Sequence, residues 1–224
     1  MEKDLVDYFN AMSKAFPYQD LEKIYSKNIK ESIEGDAGKV LDPILKILNV
    51  GLETKIIGHL TTTYVAGSAQ MMKYGGLAFE GIPSTKAITW AEKHAAKLVT
   101  EMDEETKNRL AKVISDGIAN KRGVAGIGRD IRKEIQDMSV NRGKLIAKTE
   151  TATALGQAFE DNGEEMGIDG KEWVTAGDDR VSDGCRENEA AGVIPFHQAF
   201  PSGDMTPPRF PGCRCSCAPA KLNK

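Results

Sequence analysis

Apolar residues recur at three- and four-residue steps through most of the first 165 positions, a spacing that puts them on one face of a helix. DLVDYFNAMSKAF and DLEKIYSKNIKESI both carry this pattern. A longer apolar-rich segment runs from Lys39 to Met72, interrupted by Pro43 and Gly51. Pro43 suits a helix's first turn, where its missing N–H costs nothing. YGGLAFEGIPS, residues 74 to 84, breaks the periodicity with Gly75, Gly76, Gly81 and Pro83 and reads as a connector. Ser84 then offers a cap to a helix whose inward face is Ile88, Ala91, Ala95, Leu98 and Met102. Asp103 reads as the cap of a separate helix with the stripe Leu110, Val113, Ile114 and Ile118. KRGVAGIGRD reads as a loop whose glycines supply positive φ. A short helix follows around IRKEIQDM, and a last one runs from Arg142 to about Glu165.

Beyond Gly170 the period changes. KEWVTA, VIPF and RCSCAP have strand-like residues, separated by Gly, Pro, Asp and Ser clusters that demand turns. The predicted fold class is α+β: a mainly α-helical N-terminal body, then a small loop-rich C-terminal α+β unit with short antiparallel strands. That tail has few apolar residues, and small loop-rich units need a staple.

Composition narrows the function classes only a little. A chain that is 40% hydrophobic with a net charge of −3 is neither disordered nor strongly basic. The start, MEKDLVDYFNAMSKAF, lacks the unbroken apolar segment of a signal peptide. No stretch approaches the roughly 18 apolar residues a membrane span needs, so a cytosolic, non-membrane protein is expected. Charge is segregated, however. Between 119 and 148, Lys121, Arg122, Arg129, Arg132, Lys133, Arg142, Lys144 and Lys148 outnumber Asp130, Glu134 and Asp137. From 150 to 172 acids dominate instead. The two stretches can attract each other as solvated faces, or Lys121, Arg122, Arg129, Arg132 and Lys133 can contact nucleic acid.

Candidate chemistry gathers at the cysteines. Cys213, Cys215 and Cys217 alternate near the end of the tail, and Cys185 is the fourth. On an extended strand they would share one face about 7 Å apart, so two could hold one ion only where the chain bends at Arg214 or Ser216. Cys185 and His197 are candidates to close a four-ligand zinc shell. A disulfide that includes Cys185, or buried free thiols, are the other readings. GVAGIG fails the dinucleotide and P-loop patterns, and no GxSxG or HExxH occurs. His59 and His94 have no second ligand at metal spacing on their helices. No catalytic set emerges.

Four segments in order, IAKTETATALGQAFEDNGEEMG, KEWVTAGDDRVSDGC, Gly192 and PPRFPGCRCSCAP, resemble the phage Mu F-like head morphogenesis family, minor capsid components of tailed phages. Relatives show a helix with a Thr-Glu pair, a Trp-led strand, an Asp-x-Arg-Val turn and a Pro-rich approach to Cys-Arg-Cys. Many also carry Cys-x-x-Cys or a His after that turn, and His-Pro before Cys-Arg-Cys. Here Ser182, Asp183, Gly184 and Cys185 stand at the first place and Phe210-Pro211 at the second, while Cys217 is an additional thiol.

The resemblance implies a family domain over 83–224, with 170–219 as its cysteine-containing lobe, after a partner-contacting helical region over 1–82. It implies a virion minor head protein, assembled in the bacterial host cytoplasm, with the portal and major capsid or scaffold proteins as partners and phage DNA as a further candidate. Such a protein binds and does not catalyse. Its motif residues have structural roles: Glu150 pairing with Arg180, Asp179 capping the turn, Trp173 filling the tail's core. The competing reading of the same residues is a pocket, and of the whole chain a metal-dependent hydrolase or nuclease built on the cysteine-rich lobe.

Overall fold

The computed structural model describes residues 1–21, 33–74 and 85–222, with side chains in helix 33–74 described from Leu41 onward. The 74–84 connector, the Ser84 cap and most of the DLEKIYSKNIKESI helix expected from the sequence lie outside the described residues. The chain divides into two compact units, Met1–Ile57 with Glu92–Lys144, and Gly58–Ala91 with Leu145–Lys224.

In the first unit, α1 (Glu2–Ala15) buries the stripe Leu5, Tyr8, Phe9 and Met12, the three- and four-residue steps of its sequence. It packs on α4 (Val124–Asp137) and on the π-helical turn Met138–Arg142 that follows α4. α2 (Ile33–Tyr74) and α3 (Thr85–Ala119) contribute residues to both units. Pro43 lies inside α2, not in its first turn. One lost backbone hydrogen bond is outweighed by the continuous stripe Leu41, Leu45, Leu52, Ile56 and Leu60, all buried.

Two other expectations are corrected in this unit. α3 is one helix, so Asp103 is no cap. Its buried positions Leu98, Met102, Thr106, Leu110 and Ile114 continue in four-residue steps through the expected break. Thr106 satisfies its hydroxyl on the Met102 carbonyl at 2.6 Å, and Asp103 faces Asn49 and Tyr8 (Tyr8 Oη to Oδ1, 3.2 Å). Burial raises the Asp103 carboxyl above its ordinary range despite these donors. GVAGIG, in turn, is the first turns of α4 and not a loop. Its glycines need neither positive φ nor extra room: a Cβ on Gly128 would meet Tyr18 and Leu21 at ordinary contact distances of 3.6 and 3.7 Å, and one on Gly123 would meet nothing. The close approach is at Gly117 of α3, where an added Cβ would stand 2.6 Å from the Ile127 side chain. The positive φ of this connector belongs to Lys121 (φ 54°).

In the second unit, α5 (Gly143–Glu165) is the spine. The later part of α2 packs on it: Tyr64 donates to Asp161 at 2.5 Å, and Asn162 donates to Ser68 at 2.9 Å. The tail then folds as an antiparallel sheet in the order β2–β1–β3, with β1 (Gly170–Val174) central, β2 only Ile194–Pro195, and β3 Ser216–Ala220. Lys171 pairs with Ile194 on one side and Pro219 on the other, and Trp173 pairs with Cys217. A helix absent from the sequence reading, α6 (Asp183–Ala190), lies between β1 and β2. The mainly helical α+β class is as expected. The tail's core is small: Trp173, Val181, Cys185, Ile194 and Phe200, with Cys213, Cys215 and Cys217 partly buried against it.

Candidate functional site

Four residues of α5 hold the tail. Steps of seven, four and three place Thr149, Gly156, Glu160 and Gly163 on one helix face. Thr149 Oγ1 accepts from the Gly212 N–H at 3.0 Å, tying the helix to the approach to Cys213. A Cβ on Gly156 would stand 2.6 Å from the Pro207 carbonyl, and one on Gly163 2.2 Å from the Phe196 ring. Glu160 meets Lys171, whose ammonium donates to it at 3.0 Å and to the Met205 carbonyl at 2.8 Å. Lys171 is fully buried and also lies over the Phe196 and Phe200 rings, at 5.4 and 5.6 Å. Nothing in KEWVTA signals a buried lysine.

Three of the four cysteines converge. Cys185 is in the first turn of α6, buried; Cys213 follows a turn in which Gly212 takes φ +83° and the Cys213 N–H donates to Phe210 at 3.0 Å. Cys215 stands just before β3. The Cys185 and Cys213 sulfurs are 4.0 Å apart, and all three sulfurs lie within 4.8 Å of one another. The chain bends before β3 begins, so the late cysteines do not form one extended row. Cys217 packs with Phe159 and Phe196, and burial pushes its thiol up to about 12, so it sits there as an apolar group. His197 is exposed, edge-on to Phe196, and neither it nor Cys217 belongs to the three-sulfur group. All four cysteines are unbonded thiols.

The group is built to hold negative charge, but little of it unaided. Burial alone would raise the Cys213 thiol; the backbone N–H groups of Cys215 and Arg209, directed at its sulfur, bring it below its ordinary value. Burial pushes Cys215 up to about 12, and the neighbouring sulfurs add to the rise. Cys213 is therefore the thiol of the group that loses its proton more easily than Cys215, and a second thiolate beside it is repelled unless a cation joins them. The Arg209 guanidinium, held by Asp204 at 2.9 Å, also lies beside Cys185, where its charge favours a thiolate.

Around the thiols an acid–guanidinium clasp closes the lobe. Its central pair is Asp178 with Arg214, and Arg180, expected to pair with Glu150, joins the same Asp178 instead. Both Arg214 terminal nitrogens donate to the Asp178 carboxylate, at 2.7 and 2.5 Å, the bidentate geometry that fixes orientation best. The Arg180 N–H and guanidinium donate to the same carboxylate at 3.1 and 3.3 Å. Arg180 is 75% exposed, Asp179 is exposed, and Glu150 is buried along α5. Trp173 fills the tail's core, T-shaped against Phe200 at 5.1 Å. The Arg214 hydrogen bonds, chiefly, and those of Arg180 hold Asp178 far below its ordinary 3.8. A depressed folded-state value means the clasp stabilises fully above 3.8 and loses that contribution as pH falls through the folded value. In a carboxyl NMR titration Asp178 should stay ionised while ordinary aspartates protonate; Arg214→Gln should return it toward 3.8.

The five basic residues proposed for nucleic acid, Lys121, Arg122, Arg129, Arg132 and Lys133, are all exposed. Two already have partners within their unit: Arg122 pairs with Asp130 at 2.7 Å and Arg132 lies over Tyr18 at 4.5 Å. No helix among the described residues is long and apolar enough to cross a membrane.

A family model for Phage Mu protein F like protein matches residues 104–218, just over half of the chain. The chain belongs to the phage Mu F-like family. This is a family of phage head morphogenesis, so the chain is a head morphogenesis protein that works among other head components. The match takes in the α5 face, the clasp and all four cysteines. No curated protein and no solved structure matches.

Proposed function

We propose that this protein is a minor head protein incorporated in a few copies next to the portal, where it supports head assembly and genome packaging or delivery by binding, not by catalysis. The observation that carries the reading is how the family-matching residues are employed. Thr149, Gly156, Glu160, Trp173, Asp178 and Arg214 all hold α5, the sheet and the loops to one another. Residues used this way build a rigid fitting. The helical region 1–82 is the partner-contacting part and 83–224 the family domain. On α2, Ile47 and Val50 present apolar side chains that are 77% and 70% exposed, as a docking surface would. Within the lobe, a structural zinc ion on Cys185, Cys213 and Cys215 serves as the staple. Tetrahedral zinc at about 2.3 Å from each sulfur sets sulfurs about 3.8 Å apart. A small contraction brings the observed group to that spacing.

Co-expression with the portal protein of the same phage tests the assembly role. The two should co-purify, and Ile47→Asp with Val50→Lys should abolish the pairing while leaving the circular dichroism spectrum unchanged. Recovery of unassociated chain only, together with normal heads formed without it, would overturn the assignment.

A further inference from the structure

Beside the three sulfurs lies a small cavity of about 30 Å³, bounded by Ser182, Cys185, Cys213 and Cys215 and reaching the surface between Ala176, Arg180 and Phe210. Two polar groups border the sulfur cluster without a hydrogen-bond partner of good geometry. One is the buried Oγ of Ser182, a residue that lines the cavity; the other is the Trp173 indole N–H, whose residue is 2% exposed and which lies beside the Cys215 sulfur. Ser182 holds the N-cap position of α6, yet its hydroxyl makes no capping bond. A buried hydroxyl that neither caps nor pairs costs about 1–3 kcal/mol, which is why such groups face an occupant that satisfies them. The space suits one or two water molecules, since a water needs roughly 10–15 Å³ of this measure.

We infer that the protein supplies only three ligands to the metal, Cys185, Cys213 and Cys215, and that the fourth is a water molecule in this cavity, hydrogen-bonded to Ser182 Oγ. The inference rests on the zinc reading of the lobe and deepens it: the site is an open one, in which a coordination position faces solvent. The protein's other sulfur and imidazole candidates lie elsewhere, with Cys217 against Phe159 and Phe196 and His197 exposed. On binding, each of the three thiols releases its proton to solvent, and no electron is transferred. Three thiolates and a divalent cation leave one negative charge, and Arg209 beside Cys185 offsets it. The Trp173 N–H and the N–H groups directed at Cys213 then donate to sulfurs that carry real charge.

X-ray absorption on the full, tag-free chain loaded with one equivalent of zinc tests this directly. The expected shell is three sulfurs at about 2.3 Å and one oxygen at about 2.0 Å. Cys217→Ser should leave that shell unchanged. Ser182→Ala should keep the oxygen but weaken zinc binding about tenfold, the effect of removing an outer-shell partner. Ser182→Cys should convert the shell to four sulfurs and tighten binding. A wild-type shell of four sulfurs, or of two, would overturn the open site while leaving zinc in place. Loss of the oxygen in Ser182→Ala would overturn the water ligand in favour of direct ligation. Failure of the wild-type chain to retain zinc at all, against a chelator that spares known three-thiolate sites, would overturn the zinc reading with it. None of these outcomes bears on co-purification with the portal protein, so the two proposals fail separately.

Discussion

Glu160→Gln is expected to destabilise the second unit by about 3 kcal/mol, the lower end of the cost of stripping the partner from a buried charge. The lower end applies because the Glu160 side chain is 24% exposed, so water already shares in the pair. What remains for the Lys171 ammonium is a neutral amide oxygen in place of the carboxylate, the Met205 carbonyl and the faces of Phe196 and Phe200, which stabilise a cation without neutralising it. Lys171→Met should cost less, about 1 kcal/mol, since the stranded group is then a carboxylate that can turn to solvent and the methionine fills the same space. This ordering is the test. Urea melts followed by tryptophan fluorescence report it, and equal losses for the two variants would show that the lysine's packing matters and its charge does not.

Gly163→Ala is expected to lower stability by about 2–3 kcal/mol, although alanine favours a helix over glycine by roughly 1 kcal/mol. The added methyl would stand 2.2 Å from Cζ and 2.5 Å from Cε2 of Phe196. That ring cannot swing aside: it is buried, tilted against Phe159 at 5.5 Å and covered by the Lys171 ammonium. A stabilised variant would mean that the ring yields and that α5 does not need its small residues. Phe196→Leu in the same chain should recover part of the loss, so the double substitution costs less than the sum of the two.

What the sequence disclosed was whatever local pattern dictates. Three strand segments were legible from Trp173, Val174, Ile194 and the alternation around Cys215 and Cys217, and α1 from its stripe. The misreadings share a physical cause, in that each depended on a partner distant along the chain. Asp178 and Asp179 look alike next to Arg180, and only Arg214, thirty-six positions on, distinguishes the one that bears the clasp. A glycine inside a helix looks the same in a string as one that turns a loop, so GVAGIG reads as a connector although the helix begins at Val124. Asp103 followed by two glutamates imitates a helix start, yet the four-residue stripe runs on through Thr106. α6 was missed because DGCRENEA has one apolar anchor, Cys185, and is held by tertiary bonds: Asn188 takes Ser202 at 2.8 and 3.0 Å. The cysteine cluster was half legible. Its membership needed the bend at Gly212, and the orphaned Ser182 hydroxyl leaves no trace in a sequence.

The order of the parts along α5 and the sheet governs when this lobe can close during synthesis. A ribosome completes the docking face from Thr149 to Gly163 early, then the central strand, then Cys185, all of which must wait. Arg214, the last two members of the thiol trio and the second long strand emerge together within residues 213 to 220. Nascent chains interrupted anywhere before that point carry a finished helix with an unlatched flap, so only translation past residue 220 lets the lobe close.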